Sequence, residues 1–201
     1  MAVDRERIAA LTRELLLAVG EDPDRPGLRQ TPQRVADAYA EFFSGVGVDA
    51  AEPLSHTISV AHGPAPDTLP SGVVMLRDIR FRSVCEHHLL PFAGRAHIAY
   101  LPGEQVVGLG ALPKVVDVLA ARPQVQERLG EQIADTIAGS LDARGVLVVL
   151  DAVHQCVTMR GGRQSDTSTV TVSARGALAD PVQRAEVMAL VGAASAGEAA
   201  S

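Results

Sequence analysis

The chain has 201 residues, 47% of them apolar but only 3% aromatic, with no tryptophan and a formal net charge of −6. This length suits one domain, or one domain with an appendage, whose core is built from Val, Leu, Ile and Ala. Acidic and basic residues are interleaved without blocks of one sign, which argues against nucleic acid as a partner. The opening residues Met1 to Arg7 are too charged for a secretory signal, and no apolar run reaches membrane-spanning length, so the expectation is a cytoplasmic protein with no membrane partner.

Ile8, Leu11, Leu15 and Ala18 recur at helical spacing over residues 5–19, and Gly20 ends the pattern. After the turn-rich "EDPDRPGLRQ", Thr31 as N-cap and Pro32 in the first turn predict a second helix. Its apolar face is Val35, Ala38, Tyr39, Phe42 and Phe43, and Ser44-Gly45 stops it. Residues 44–72 are rich in Gly, Pro and Ser and read as surface chain with a short strand near Thr57–Val60. "VVMLRDIRFRSV" and "GRAHIAYL" predict two strands flanking "CEHH". Two helices follow, one marked by Leu112, Val115, Val116 and Leu119, the other by Val125, Leu129, Ile133 and Ile137. "GVLVVLDAVHQCVTMR" and "TSTVTVSAR" predict two more strands joined by the turn "GGRQSD". Asp180-Pro181 opens a last helix, whose Ala/Ser/Gly-rich end is expected to fray. The order helices, two strands, two helices, two strands, helix gives the class α+β, divided as a helical region over 1–55 and a catalytic domain over 56–201.

Only two cysteines and six histidines occur in the chain, and four adjacent positions, Cys85, Glu86, His87 and His88, hold three of them with a carboxylate. In a reducing cytosol a structural disulfide between Cys85 and Cys156 is disfavoured, which leaves core thiols, a metal site or catalysis. Read as a strand, "VHQCVTMR" places His154, Cys156, Thr158 and Arg160 on one face and Val153, Val157 and Met159 on an apolar core face. Cys85-x-x-His88 with Cys156 then makes a two-thiolate, one-imidazole donor set suited to zinc, with a fourth position for a water acidified toward neutrality. His87 and His154, beside ligands but not needed as such, suit general acid and base roles. Taken singly each signal has a plainer account: a buried thiol beside surface histidines, or a core histidine at position 154. Their conjunction on a polar strand face favours the joint reading.

The stretches "LRQTPQRVADAYAEFFSG", "RDIRFRSVCEHHLLPFAGRAHIAYLP", "RPQVQERL" and "DAVHQCVTMRGG" resemble the GTP cyclohydrolase I family, from the first helix almost to the C-terminus. The resemblance implies the tunnelling fold (T-fold), a homo-oligomeric ring that is typically a decamer, and active sites at subunit junctions. It implies attack of a zinc-activated water on C8 of a guanine nucleotide, loss of formate and closure of a dihydropterin. Cys85, His88 and Cys156 match the zinc ligands, and His87 and His154 match the catalytic histidines. Glu127, with Gln126 beside it, matches the carboxylate that pairs with two adjacent donors of guanine. Arg34, from a neighbouring subunit, and Arg160 match triphosphate contacts. Glu86 has no role by this reading beyond supporting the turn or a ligand.

The family pattern has a Ser-Lys pair after "GL" and an Arg three residues later, whereas this chain has Gly110-Ala111 and Lys114. A lost charge-assisted bond to phosphate costs roughly 1.5–3 kcal/mol, and a bidentate fork has become a point charge. The backbone of that helix start still suits an anion. Gln155 also stands where an apolar or aromatic residue is usual. The alternatives are therefore a paralogue acting on a less phosphorylated, unphosphorylated or modified guanine, and a zinc-stabilised ring without turnover. A nitrile reductase of the same fold is disfavoured because both cysteines fit the zinc pattern, and a redox pair of Cys85 with Cys156 completes the set.

Overall fold

The computed structural model describes residues 3–60, 72–160 and 164–198, the stretch 193–198 in backbone only. The chain divides into two compact units, Met1–Val48 and Asp49–Ser201.

The first unit is a helix pair, α1 (Arg5–Ala18) and α2 (Thr31–Phe42). Asp4 caps α1 by accepting from the Arg7 N–H, the side-chain capping expected of Asp. Thr31 is not the N-cap that its sequence suggests. It is the first helical residue, and Gln30 precedes it in an already helical conformation without a capping side chain. The cause lies upstream: the Thr31 N–H donates to the Leu28 carbonyl at 2.8 Å, so the preceding turn already winds the chain. Leu11 and Leu15, expected on a buried face, are 60% and 61% exposed, and Thr12 is the buried residue of that helix.

The second unit is built on a five-stranded sheet in the order β5-β2-β3-β6-β7. Its strands are β2 (Val74–Cys85), β3 (Pro91–Leu101), β5 (Pro123–Gln124), β6 (Gly145–His154) and β7 (Thr169–Gly176). All pairings are antiparallel except the short parallel contact of β5 with β2. Strand β1 (Thr57–Ser59) pairs separately with β4 (Gln105–Val107). Helices α3 (Ala111–Ala120) and α4 (Gln126–Leu141) lie between β4 and β6 in the chain. Their apolar stripes, Leu112, Val115, Val116, Leu119 and Leu129, Ile133, Ile137, are buried with Ile98, Tyr100, Val146, Val148 and Leu150 in one core.

The run "GVLVVL" is apolar throughout because β6 is covered on both faces, as central strands can be. Val146, Val148 and Leu150 enter the helix-side core, while Leu147 and Val149 join Ala99, Leu178 and Val187 in a smaller one behind the sheet. Val187 belongs to the last helix, α6 (Pro181–Glu198). Asp180 opens α6 as expected, accepting from the N–H groups of Val182 and Gln183 at 3.0 Å each. The α+β class is as expected. The short strands β4 and β5 have too few residues to carry a period. The expected "GGRQSD" turn falls partly on 161–163, much of the expected surface stretch on 61–71, and the end of the chain on 199–201, all outside the described residues.

One expectation fails within the region of interest. The sequence "VHQCVTMR" does not continue β6 as a strand: the strand ends at His154, and Gln155–Thr158 form a single helical turn, α5. Pairing with β3 stops at Phe92↔His154, and pairing with β7 stops at Ala152↔Thr169. With no pairing neighbour left on either side among the described residues, the backbone satisfies itself locally. The Met159 N–H donates to the Gln155 carbonyl at 3.0 Å, and the Thr158 hydroxyl donates to the His154 carbonyl at 3.3 Å. The supposed core face is exposed in consequence, Met159 by 72%.

Candidate active site

Sheet order gathers the functional residues at one end. Cys85 ends β2, Gln124 ends β5 beside it, Phe92 lies at the start of β3, and His154 ends β6 opposite Phe92. The chain turns back between Cys85 and Leu90 in a tight hairpin loop. The Cys85 N–H donates to the Leu90 carbonyl at 2.9 Å, and the Leu89 N–H to the Cys85 carbonyl at 2.8 Å. Closing so short a loop places Leu89 at φ +52°, a left-handed conformation that a non-glycine side chain adopts at a cost of about 1–2 kcal/mol. His87 and His88 stand exposed on this loop with their rings edge to face, centroids 6.4 Å apart.

Glu86 has a definite partner. Its carboxylate accepts from both terminal nitrogens of Arg128, at 2.6 and 3.1 Å. Its N–H donates to the Gln124 carbonyl at 2.9 Å. The hairpin is thereby tied to β5 and to the first turn of α4, which carries Glu127 and Arg128. The guanidinium holds the Glu86 carboxyl below the usual carboxylate range.

Cys85 is 5% exposed, and Cys156, on α5, is half-buried. Burial pushes the Cys156 thiol up, and the Cys85 sulfur beside it pushes further in the same direction, while Arg160 opposes. Two residues 71 positions apart are thus neighbours, although the route is a helical turn rather than the strand face that the sequence suggests. Among the described residues no three His, Cys, Asp or Glu side chains form a closed metal-holding group. The amide oxygen of Gln124, the residue paired with Cys85, is buried without a hydrogen-bond partner among the described residues.

His154 is held on two sides. Its ring stacks on Phe92 with centroids 4.5 Å apart and planes 4° from parallel. Its Nε2 lies 2.8 Å from Oε1 of Gln126. Burial lowers its pKa, and the nearby Glu127 carboxylate works against that shift. Glu127 is exposed in the first turn of α4, where the helix dipole favours a negative charge.

Gln126 is not available to a substrate as the sequence suggests. It is 1% exposed, and its amide is engaged by the Leu150 and Thr169 carbonyls, the Thr171 hydroxyl and His154.

Lys114, exposed on α3, stands apart from the cluster. It is Ala120, at the far end of α3, whose carbonyl accepts from Ser83 beside the hairpin. Lys114 lies six positions nearer the helix start, about 9 Å along the axis. Arg34 belongs to the Met1–Val48 unit, exposed and donating to Gln30 at 2.8 Å. Sequence reasoning missed Phe92, Arg128 and the positioning part of Gln126. Phe92 falls outside the expected strand "GRAHIAYL", because β3 starts at Pro91, and no sequence signal marks the other two.

The sheet end therefore brings paired thiols, an imidazole and a helix-start carboxylate together in an α+β protein, side chains whose chemistry suits proton transfer. Residues 8–192 match the family "GTP cyclohydrolase I". The chain is 61% identical over 189 residues to GTP cyclohydrolase 1 of Leifsonia xyli subsp. xyli, covering 94% of this chain and 96% of that one. It is 47% identical to GTP cyclohydrolase 1 of Streptomyces griseus subsp. griseus, covering 94% and 92%. With that of Carboxydothermus hydrogenoformans it is 48% identical, covering 94% and 96%. Among solved structures, an archaeosine synthase QueF-Like in the apo form aligns with TM-score 0.43 and 17% identity, covering 54% of this chain and 97% of that one. The chain belongs to the GTP cyclohydrolase I family.

Proposed function

We propose that this chain converts GTP to 7,8-dihydroneopterin triphosphate and formate, opening the guanine imidazole ring at C8. The observation that carries the proposal is the 61% identity to a GTP cyclohydrolase 1 over nearly the whole of both chains. The convergence of Cys85, His154, Cys156 and Glu127 at one sheet end supports it.

Zinc fits the donor set. Burial first, and the neighbouring Cys85 sulfur after it, disfavour ionisation of the Cys156 thiol, and a dication favours the thiolate against both. Cys85, Cys156 and His88 would hold it, and when bound it supplies a Lewis acid that makes water an effective nucleophile near neutral pH. Glu127 binds guanine through the two adjacent donors of its N1–H and amino group. His154 takes up a proton and His87 delivers one. Arg160, Lys114 and Arg34 hold the triphosphate, Arg34 reaching a site on another copy of the chain in a homo-oligomeric ring, a decamer in our reading. Such an enzyme acts in the cytoplasm, in the supply of pterins for one-carbon chemistry.

A second reading is favoured by one observation. Helix α3 starts at Gly110-Ala111 with no side-chain cap, so neither hydroxyl nor ammonium is offered to a phosphate there. On this reading the substrate is a guanine compound with fewer phosphates or none. A panel of GTP, GDP, GMP, guanosine and guanine with zinc-loaded protein, scored for formate and product mass, separates the two. Efficient formation of dihydroneopterin triphosphate supports the first reading. Poor GTP turnover beside good turnover of a less phosphorylated compound overturns it in favour of the second. Stoichiometric zinc with no turnover of any compound would leave a ring protein without activity.

A further inference from the structure

We infer that Gln126 is a positioning residue: it fixes His154 as the Nε2–H tautomer, so that Nδ1 is the atom that accepts a proton in the reaction. The inference rests on the reading of His154 as a proton-transfer group, and deepens it by naming the atom.

The argument begins with the amide. Nε2 of Gln126 lies 3.0 Å from the Leu150 carbonyl and 2.8 Å from the Thr169 carbonyl. Carbonyl oxygens only accept, so the atom facing both must be the NH2 group, and the amide cannot be flipped. A third neighbour, the Thr171 hydroxyl at 3.2 Å, accepts as well. The other amide atom is therefore the oxygen, which is an acceptor only. It faces Nε2 of His154 at 2.8 Å, and a hydrogen bond of that length needs a hydrogen on the ring nitrogen. In the neutral imidazole the second nitrogen, Nδ1, then carries the lone pair.

Orientation is fixed along with the tautomer. The ring lies flat against Phe92, 4.5 Å away and within 4° of parallel, and Phe92 is opposite His154 in the β3–β6 register. Rotation about the ring's own axis would break the bond to Gln126. Among the described residues Nδ1 makes no hydrogen bond, so it is the free acceptor of this side chain. In the proton-transfer step a substrate or water X–H gives its proton to Nδ1 and keeps the bonding pair. The ring becomes an imidazolium whose Nε2–H still donates to Gln126.

Gln126 also joins α4 to strands β6 and β7, so a merely structural role must be separated from positioning. The test is 15N NMR of histidine-labelled holoenzyme without substrate at about pH 8, where neutral imidazole dominates. The wild type is expected to carry its hydrogen on Nε2 of His154. Gln126→Leu is expected to show both tautomers, with kcat lowered by about 10²-fold and KM little changed. Gln126→Glu, buried and neutral when protonated, still offers an acceptor to Nε2–H. It should retain the wild-type tautomer and most of kcat even if less stable. A hydrogen on Nδ1 in the wild type overturns the inference without need of any variant. So does wild-type kcat in folded Gln126→Leu. Full activity in His154→Ala would instead sink the proton-transfer reading of His154 while leaving the tautomer standing, so the two failures are distinguishable.

Discussion

The Glu86 carboxylate grips the Arg128 guanidinium through both terminal nitrogens, at 2.6 and 3.1 Å, and so ties the loop bearing His87 and His88 to the helix start bearing Glu127. Ion pairs this exposed add little to stability. Their geometric content is another matter, since a bidentate pair fixes distance and angle together. Arg128→Ala is expected to leave the melting temperature nearly unchanged while lowering kcat/KM on the order of tenfold, because a misplacement of about 1 Å can cost up to a hundredfold. Steady-state kinetics beside a thermal melt checks it; a large drop in melting temperature would contradict it.

Gly94 makes the β3–β6 contact possible next to the site. A Cβ there would sit 1.9 Å from the Asp151 carbonyl oxygen and 2.6 Å from the Ala152 Cα, both backbone atoms that cannot swing aside. Gly94 lies two residues from Phe92, the stacking partner of His154. Gly94→Ala should therefore destabilise by roughly 3 kcal/mol and disturb the His154 ring. Urea unfolding measures the first effect and residual activity the second.

Arg175 on β7 joins two carboxylates of α4, donating to Glu131 and, at 2.6 Å, to Asp135. Its hydrogen bond, with a second from Ser173, holds the Glu131 carboxyl below its usual range. A carboxyl depressed in the folded state stabilises above its unfolded pKa, and the contribution is lost as pH falls through the folded value. Arg175→Ala should cost about 0.5–1 kcal/mol at neutral pH, the pair being partly exposed. The gap to wild type should narrow below about pH 4. Unfolding curves at the two pH values test the sign; a gap that widens in acid would refute it.

If phosphate affinity was lost at the start of α3, it should be recoverable there. The double variant Gly110→Ser, Ala111→Lys restores a hydroxyl and an ammonium, charge-assisted bonds of roughly 1.5–3 kcal/mol each. KM for GTP should fall by about tenfold or more with little change for guanosine. Equal changes for both compounds would show that this helix start does not meet the phosphates.

Much of this was legible in the sequence. The stripes of α3 and α4 repeat at 3.6 residues, the unbroken run "GVLVVL" marks a strand covered on both faces, and Asp180-Pro181 announces α6. Adjacent Cys85, His87 and His88, with Cys156 two residues past His154, pointed to metal or proton-transfer chemistry because those side chains have few other uses side by side. What sequence could not decide was where pairing stops. Alternation carried "VHQCVTMR" on as a strand, but β6 has neighbours only as far as His154, and a strand without a ladder gives way to a helical turn. Gln126 likewise looks like a polar residue at a helix start. Only the approach of β6 and β7 to α4 turns its amide inward, takes its NH2 group onto two carbonyls and leaves its oxygen for His154. Local pattern fixes which face of an element is apolar and which groups can react. Hydrogen-bond partners at element ends depend on which distant backbone arrives there, and that is settled by the fold.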